Sequence, residues 1–209
     1  MESPYFNSLL QQVSSNPRYN AELARAKEEF QDFAGPIFES DRNFDARINA
    51  FHNWYILDRP LKVNGKTPLA YFLEFNANTL SEEAWKRYEE LGNHLHSLFE
   101  LSKVGPKGSV LTDVLTGKKI ALDGTDQTQH LDKGALFNTR LFSHQGQWYF
   151  SNYLILHPGG IGKDIMQEAK KRRKAKAPSK PFLYQLMLFQ GRWEQYKQMD
   201  LHAIYRFSA

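Results

Sequence analysis

The side chains best suited to chemistry in this sequence lie in one run. Between positions 163 and 180 stand Lys163, Lys170, Lys171, Arg172, Arg173, Lys174, Lys176 and Lys180, against only Asp164 and Glu168. The run carries +6 and the whole chain +4, so the remainder is slightly acidic at −2. A basic pI therefore comes from one segment and not from the whole surface. Adjacent like charges on a helix repel by a few tenths of a kcal/mol per pair. A polyanion removes that cost by neutralisation and counterion release. Lys170, Lys171, Arg172, Arg173, Lys174 and Lys176 are thus the candidate contacts for nucleic acid or an acidic protein surface. The bland alternative is a solvated basic helix. A membrane surface fits poorly, because little beyond Ile165 and Met166 would make an apolar face opposite the charges.

Other chemistry finds less support. In PGGIGKD the phosphate-loop pattern fails: His157 stands where the first glycine is needed, and Asp164 where a Ser or Thr would hold magnesium. Seven histidines are scattered without an H-E-x-x-H pair, so no metal site is indicated. His94 and His96, two apart, would share a face only on a strand. With no cysteine, disulfides, thiolate metal sites and thiol catalysis are excluded. No nucleophile-elbow motif is present, and no motif implies a cofactor. Trp54, Asp58, Asp113 and Arg140 are the candidates for a pocket between the helical half and the strands. For Asp58, beside Arg59-Pro60, the structural alternative is a turn cap.

The elements that must position these residues follow from periodicity. Residues 5–15 and 18–33 read as amphipathic helices broken by Asn16-Pro17, and Gly35-Pro36 ends the second. A third runs over about 41–55. Thr67-Pro68 and Ser81-Glu82-Glu83 have the chemistry of helix starts. Near residue 97 the period changes to two, and five short strands separated by turn signals follow to about 157. They suggest an antiparallel meander curled into a small barrel. The aromatics there (Phe137, Phe142, Trp148, Tyr149, Phe150, Tyr153) would either fill it or stack bases. A basic helix over 164–176 and a further helix capped by Ser179 close the chain. The fold class expected is α+β, in three segments: a helical half over 1–96, a small barrel over 97–157, and a basic helical tail over 158–209 packing back. The start MESPYFNSLLQQ lacks a signal-peptide pattern, and the apolar runs are far too short for a membrane helix, which points to the cytoplasm.

Several pieces carry a resemblance: FHNWYILDRPL with Phe51, Trp54 and Asp58; GKTPLAYFL with Gly65, Thr67 and Pro68; HSLFELSKV; LTDVLTGKK with Asp113 and Gly117; and GALFNTRLF with Gly134 and Arg140. Over residues 44–156 their order resembles a family of uncharacterised bacterial proteins, some of which carry a cysteine-rich SEC-C zinc motif. That motif is absent here, so its role does not carry over; the shared pieces read as scaffold, and the resemblance supplies no activity to transfer. The expectation is a non-enzymatic binding or adaptor protein. The alternatives are an enzyme using the Trp54/Asp58/Asp113/Arg140 pocket, or a structural oligomer subunit.

Overall fold

The computed structural model describes residues 4–124 and 127–207, with helices first, then a sheet, then helices again, an α+β arrangement. The first helices are α1 (Pro4–Ser15), α2 (Pro17–Asn20) and α3 (Leu23–Ala34). The helix expected over 18–33 is interrupted at Ala21-Glu22. There the Glu22 carboxylate accepts from the Lys62 backbone N–H at 2.7 Å and pairs with Arg59 at 2.9 Å. Next come α4 (Phe44–Leu57), α5 (Pro68–Phe75) and α6 (Glu82–Glu90). Thr67 and Ser81 cap the last two as their sequence chemistry requires. Each hydroxyl accepts a backbone N–H three residues on, at 3.2 Å.

Helix α4 is buried on most of its circumference. Phe51, Tyr55 and Ile56 join the core, and Asn53 donates to the Asn152 side chain on the sheet at 2.8 Å. Arg47 is fully buried, yet among the described residues its guanidinium meets no acid. It donates instead to three backbone carbonyls: Ala34 (2.8 Å), Gly35 (2.9 Å) and Met187 (3.0 Å). One cation thereby ties the end of α3 to α4 and to the C-terminal helices.

The strands are β1 (His94–Gly105), β2 (Gly108–Asp113), β3 (Lys119–Asp123), β4 (Leu136–His144) and β5 (Gln147–Leu156). They form one antiparallel sheet in the order β3-β2-β1-β4-β5. It is neither a simple meander nor the expected barrel: after β3 the chain crosses over to place β4 on the far side of β1, and no ladder joins β3 to β5. The sheet curls over one apolar face. Phe99, Leu111, Ile120, Phe137 and Phe150, drawn from all five strands, fill it. At the gap, the Gln127 side chain accepts the Phe150 N–H at 2.8 Å, where a closing strand would have done so.

The opposite face meets the C-terminal helices α7 (Gly162–Lys174), entered through a single tight turn at Gly159–Ile161, α8 (Ser179–Gln195) and α9 (Leu201–Ile204). Leu98 and Leu136 pack there with Ile165, Phe182 and Leu183, and Asn138 donates to the Leu183 carbonyl at 2.8 Å. Ser179 is not the expected cap of α8. Pro178 occupies that position, and no side chain caps the helix. Among the described residues no helix is long and apolar enough to cross a membrane.

Candidate functional site

The basic run divides when it folds. Ile165 and Ala169 turn one face of α7 into the core. Arg172 lies on the flank of that face. It is held by Glu168 at 2.6 Å and Gln185 at 3.3 Å, with its guanidinium 4.7 Å over the Phe182 ring. Lys170, Lys171 and Lys174 are exposed and, among the described residues, have no carboxylate partner. Arg173 and Lys176 are also without an acid, but they converge on a cleft of about 270 Å³. Lys176 sits in the left-handed backbone region at φ 51, which turns the chain sharply between α7 and α8.

The back of this cleft is a free strand edge. Strand β2 ends at Asp113, so the start of β1 has β4 on one side and no strand on the other. Asp113 does not present a free carboxylate. Ser97 Oγ and Thr116 Oγ1 each donate to it at 2.6 Å, and the Leu115 N–H does so at 3.0 Å, which ties down the turn after β2. In that turn Gly117 has φ +81, and a Cβ there would lie 2.7 Å from Arg173 Nη1. Glycine both permits the turn and leaves room for the guanidinium. Across the cleft stands Ser179, at the start of α8, where backbone N–H groups have no carbonyl to bond and the helix dipole favours an anion.

His96 lines the same cleft, with both ring nitrogens sealed from solvent and without a hydrogen-bond partner. Burial, reinforced by the nearby Arg140 charge, pushes its pKa well below the ordinary 6.5, so the imidazole is neutral. His96 is the cross-strand neighbour of Arg140, which is 1% exposed. Arg140 pairs with Asp58, whose other oxygen accepts from Lys180 at 2.9 Å. Burial alone would raise the Asp58 pKa. Arg140 and Lys180 outweigh it and hold the carboxyl below its ordinary value. Among the described residues Arg140 Nε and Nη1 and the Tyr184 hydroxyl have no hydrogen-bond partner. Burial raises the Tyr184 phenol and takes that of Tyr153 to about 12. A second opening, about 630 Å³, reaches the network from the other side of α8 past Phe33, Trp54, Asp58, Lys180 and Tyr184.

Asp58 and Arg140 are thus in direct contact, and Trp54 lines the opening that leads to them. Asp113 belongs to the other cleft, with Arg172, Arg173 and Lys176. Asp58 ends α4 as its C-cap residue, but its carboxylate reaches across to the sheet instead of capping a turn. His96, Lys180, Ser179 and Tyr184 are members that sequence reasoning missed. For His96 the signal was present, since a strand beginning at His94 and not at 97 places His94 and His96 on one face. Among the described residues no group of three or more histidines and carboxylates is placed to hold a metal ion.

The chain belongs to a family of unknown function (DUF7986), whose model matches residues 20–199. No curated protein and no solved structure matches it.

Proposed function

We propose that this chain is a non-enzymatic nucleic-acid-binding protein that seats a backbone phosphate in the cleft between the α7–α8 corner and the free edge of β1. The observation that carries this is the meeting of two cations without acid partners, Arg173 and Lys176, with the uncapped start of α8, in a concavity whose one carboxylate is fully occupied. A planar guanidinium and free backbone N–H groups match phosphate oxygens. Lys170, Lys171 and Lys174 extend the positive surface along α7, where they would follow the rest of the backbone without reading bases. A concave, donor-rich site favours phosphate over the carboxylates of an acidic protein. The enzyme alternative rests on Asp58 and Arg140 meeting near Trp54. Because Asp58 pairs with both Arg140 and Lys180, the geometry favours a strut between α4, β4 and α8.

The test is binding of mixed-sequence RNA and duplex DNA across a salt series, beside an Arg173→Gln/Lys176→Gln variant. The expected result is log affinity falling linearly with log salt, with the slope reduced by about 1–2 in the variant. No binding at low salt, or binding that the variant leaves unchanged, would overturn the reading.

A further inference from the structure

The turn between β2 and β3 carries a second pair of cations beside the cleft. Asp113 builds that turn. Its carbonyl accepts the Gly117 N–H at 2.7 Å, its own N–H donates to the Lys118 carbonyl at 2.8 Å, and Thr116 Oγ1 accepts the Lys118 N–H at 3.2 Å. The backbone that presents Lys118 and Lys119 is thereby fixed. Arg173 Nη1 lies 2.7 Å from where a Gly117 Cβ would stand, so the guanidinium rests on this turn, one residue from Lys118. Both lysines are exposed, and among the described residues neither meets a carboxylate. Beyond Asp113, the acids nearest to Lys119 along the sheet are Asp123, at the far end of β3, and Glu100, two strands over. They stand about 10 Å or more away, at ~3.3 Å per residue and ~4.8 Å per strand.

Two arms of positive charge therefore meet at Arg173: Lys170, Lys171 and Lys174 on α7, and Lys118 and Lys119 on the hairpin. With Lys176 this makes seven cations that lack a carboxylate partner among the described residues. Counting Asp113 as one negative charge, and Arg172 as cancelled by Glu168, the surface carries +6. It presents charge without rings. Neither residues 113–123 nor residues 158–181 contain Phe, Tyr or Trp, and Phe182 in the cleft wall is 0% exposed. Of the strand aromatics, Phe137, Phe150 and Trp148 fill the curl of the sheet, Phe142 and Tyr153 join the helical core, and Tyr149 stands beside His144. Proteins that hold single strands stack the bases on exposed aromatic rings. A duplex keeps its bases stacked inside, and offers one negative charge per about 1.7 Å of axis against ~3.4 Å for each strand. A densely cationic face without exposed rings gains more from the duplex.

We infer that the partner is a nucleic-acid duplex, gripped through its backbone alone by two arms, the α7 lysines and Lys118–Lys119 of the β2–β3 hairpin, that meet at Arg173. This rests on the reading of the cleft as a phosphate site. It adds the hairpin to the interface and narrows the partner from any strand to a duplex.

The experiment measures, by fluorescence anisotropy over a salt series, binding of one short DNA duplex and of each of its strands alone. The expected result is duplex binding about tenfold tighter than binding of either strand. Lys118→Gln/Lys119→Gln should weaken duplex binding several-fold and lower the slope of log affinity against log salt by about 2, at ~0.9 per phosphate contact. Lys62→Gln/Lys66→Gln removes the same charge from exposed positions between α4 and α5 and should leave the slope unchanged. Thermal melts check that each variant is folded. A strand bound as tightly as the duplex overturns the inference, and so does a slope that the hairpin variant leaves unchanged or that the control lowers equally. If Arg173→Gln/Lys176→Gln still weakens binding in those cases, the phosphate site stands. Absence of binding by duplex and strands at low salt overturns both.

Discussion

Replacing Asp58 by Asn keeps the shape of the side chain and removes its charge. Arg140 is then left 1% exposed with no anion among the described residues, where its one acid partner is Asp58. Breaking a buried pair by removing one partner costs about 3–5 kcal/mol, because the remaining charge stays desolvated. Lys180 contributes little to this figure: its side chain is 58% exposed, and such pairs are worth roughly 0–1 kcal/mol. A loss of about 4 kcal/mol lowers the melting temperature by roughly 8–16 °C at the ~2–4 °C per kcal/mol usual for a chain of this size. Urea denaturation followed by tryptophan fluorescence measures it directly. A double-mutant cycle with Arg140→Met isolates the coupling, and the double variant should be less destabilised than the sum of the singles by at least ~2 kcal/mol. Acid titration provides an independent arm. The Asp58 carboxyl lies below its ordinary 3.8 in the folded chain, so the unfolded chain binds the proton first. Its stabilisation is complete above about pH 4 and is lost as pH falls through the folded value. Asp58→Asn should flatten the profile in that window. A loss under 1 kcal/mol in the single variant, or strict additivity in the cycle, would refute the view that this pair is a structural strut.

Three further outcomes concern Gly117, Gly191 and His157. Gly117→Ala should destabilise by about 1–2 kcal/mol through its left-handed backbone. It should also weaken oligonucleotide binding several-fold, since the new methyl displaces the Arg173 guanidinium; unchanged affinity would separate that side chain from the site. Gly191→Ala places a Cβ 2.8 Å from Arg47 Nη1, and overpacking of this kind costs ~1–3 kcal/mol, seen as a lower urea midpoint with binding per folded molecule unchanged. His157 is held between Asn138 and Tyr205, and burial pushes its pKa down to about 3 from 6.5. Protonation therefore favours the unfolded chain, and stability falls as pH drops from 6.5 towards 3. The gap between urea midpoints at pH 7 and pH 5 should narrow in His157→Gln without closing, because the buried His52, His94 and His96 are held low in the same way, and an undiminished gap would place the effect elsewhere.

Local chemistry was legible where it depends on a few neighbouring residues. Thr67-Pro68 and Ser81 cap helices because the hydroxyl reaches a backbone N–H three residues on, a relation contained within one turn. Ser179 has the same residue type and fails to cap because Pro178 takes the boundary position and the chain enters from the tight Lys176 bend. The strands were legible from alternation, but their order was not. Nothing local states that β4 should pair with β1 after a crossover, or that a glutamine side chain should stand where a barrel would close. The same limit applies to the site. Arg173 and Lys176 could be named from composition, yet their separation from Lys170, Lys171 and Lys174 depends on which face of α7 the core claims. The contact between Asp58 and Arg140 spans 82 positions and is made only when α4 and the sheet are assembled.

Ser179 and Lys180 are consecutive residues of one helical turn, and each opening has one of them in its wall: Ser179 beside Arg173 and Lys176, Lys180 beside Asp58 and Trp54. The partition between the two openings is therefore a single leaf, the first turn of α8. Any shift of that leaf towards one side narrows one mouth as it widens the other and stretches the Lys180–Asp58 bond. An occupant of the cleft that moves this turn must also alter the Lys180–Asp58 bond and the electrostatics around Trp54, and such a linkage is reciprocal. The indole fluorescence of Trp54 would register an anion that never touches it.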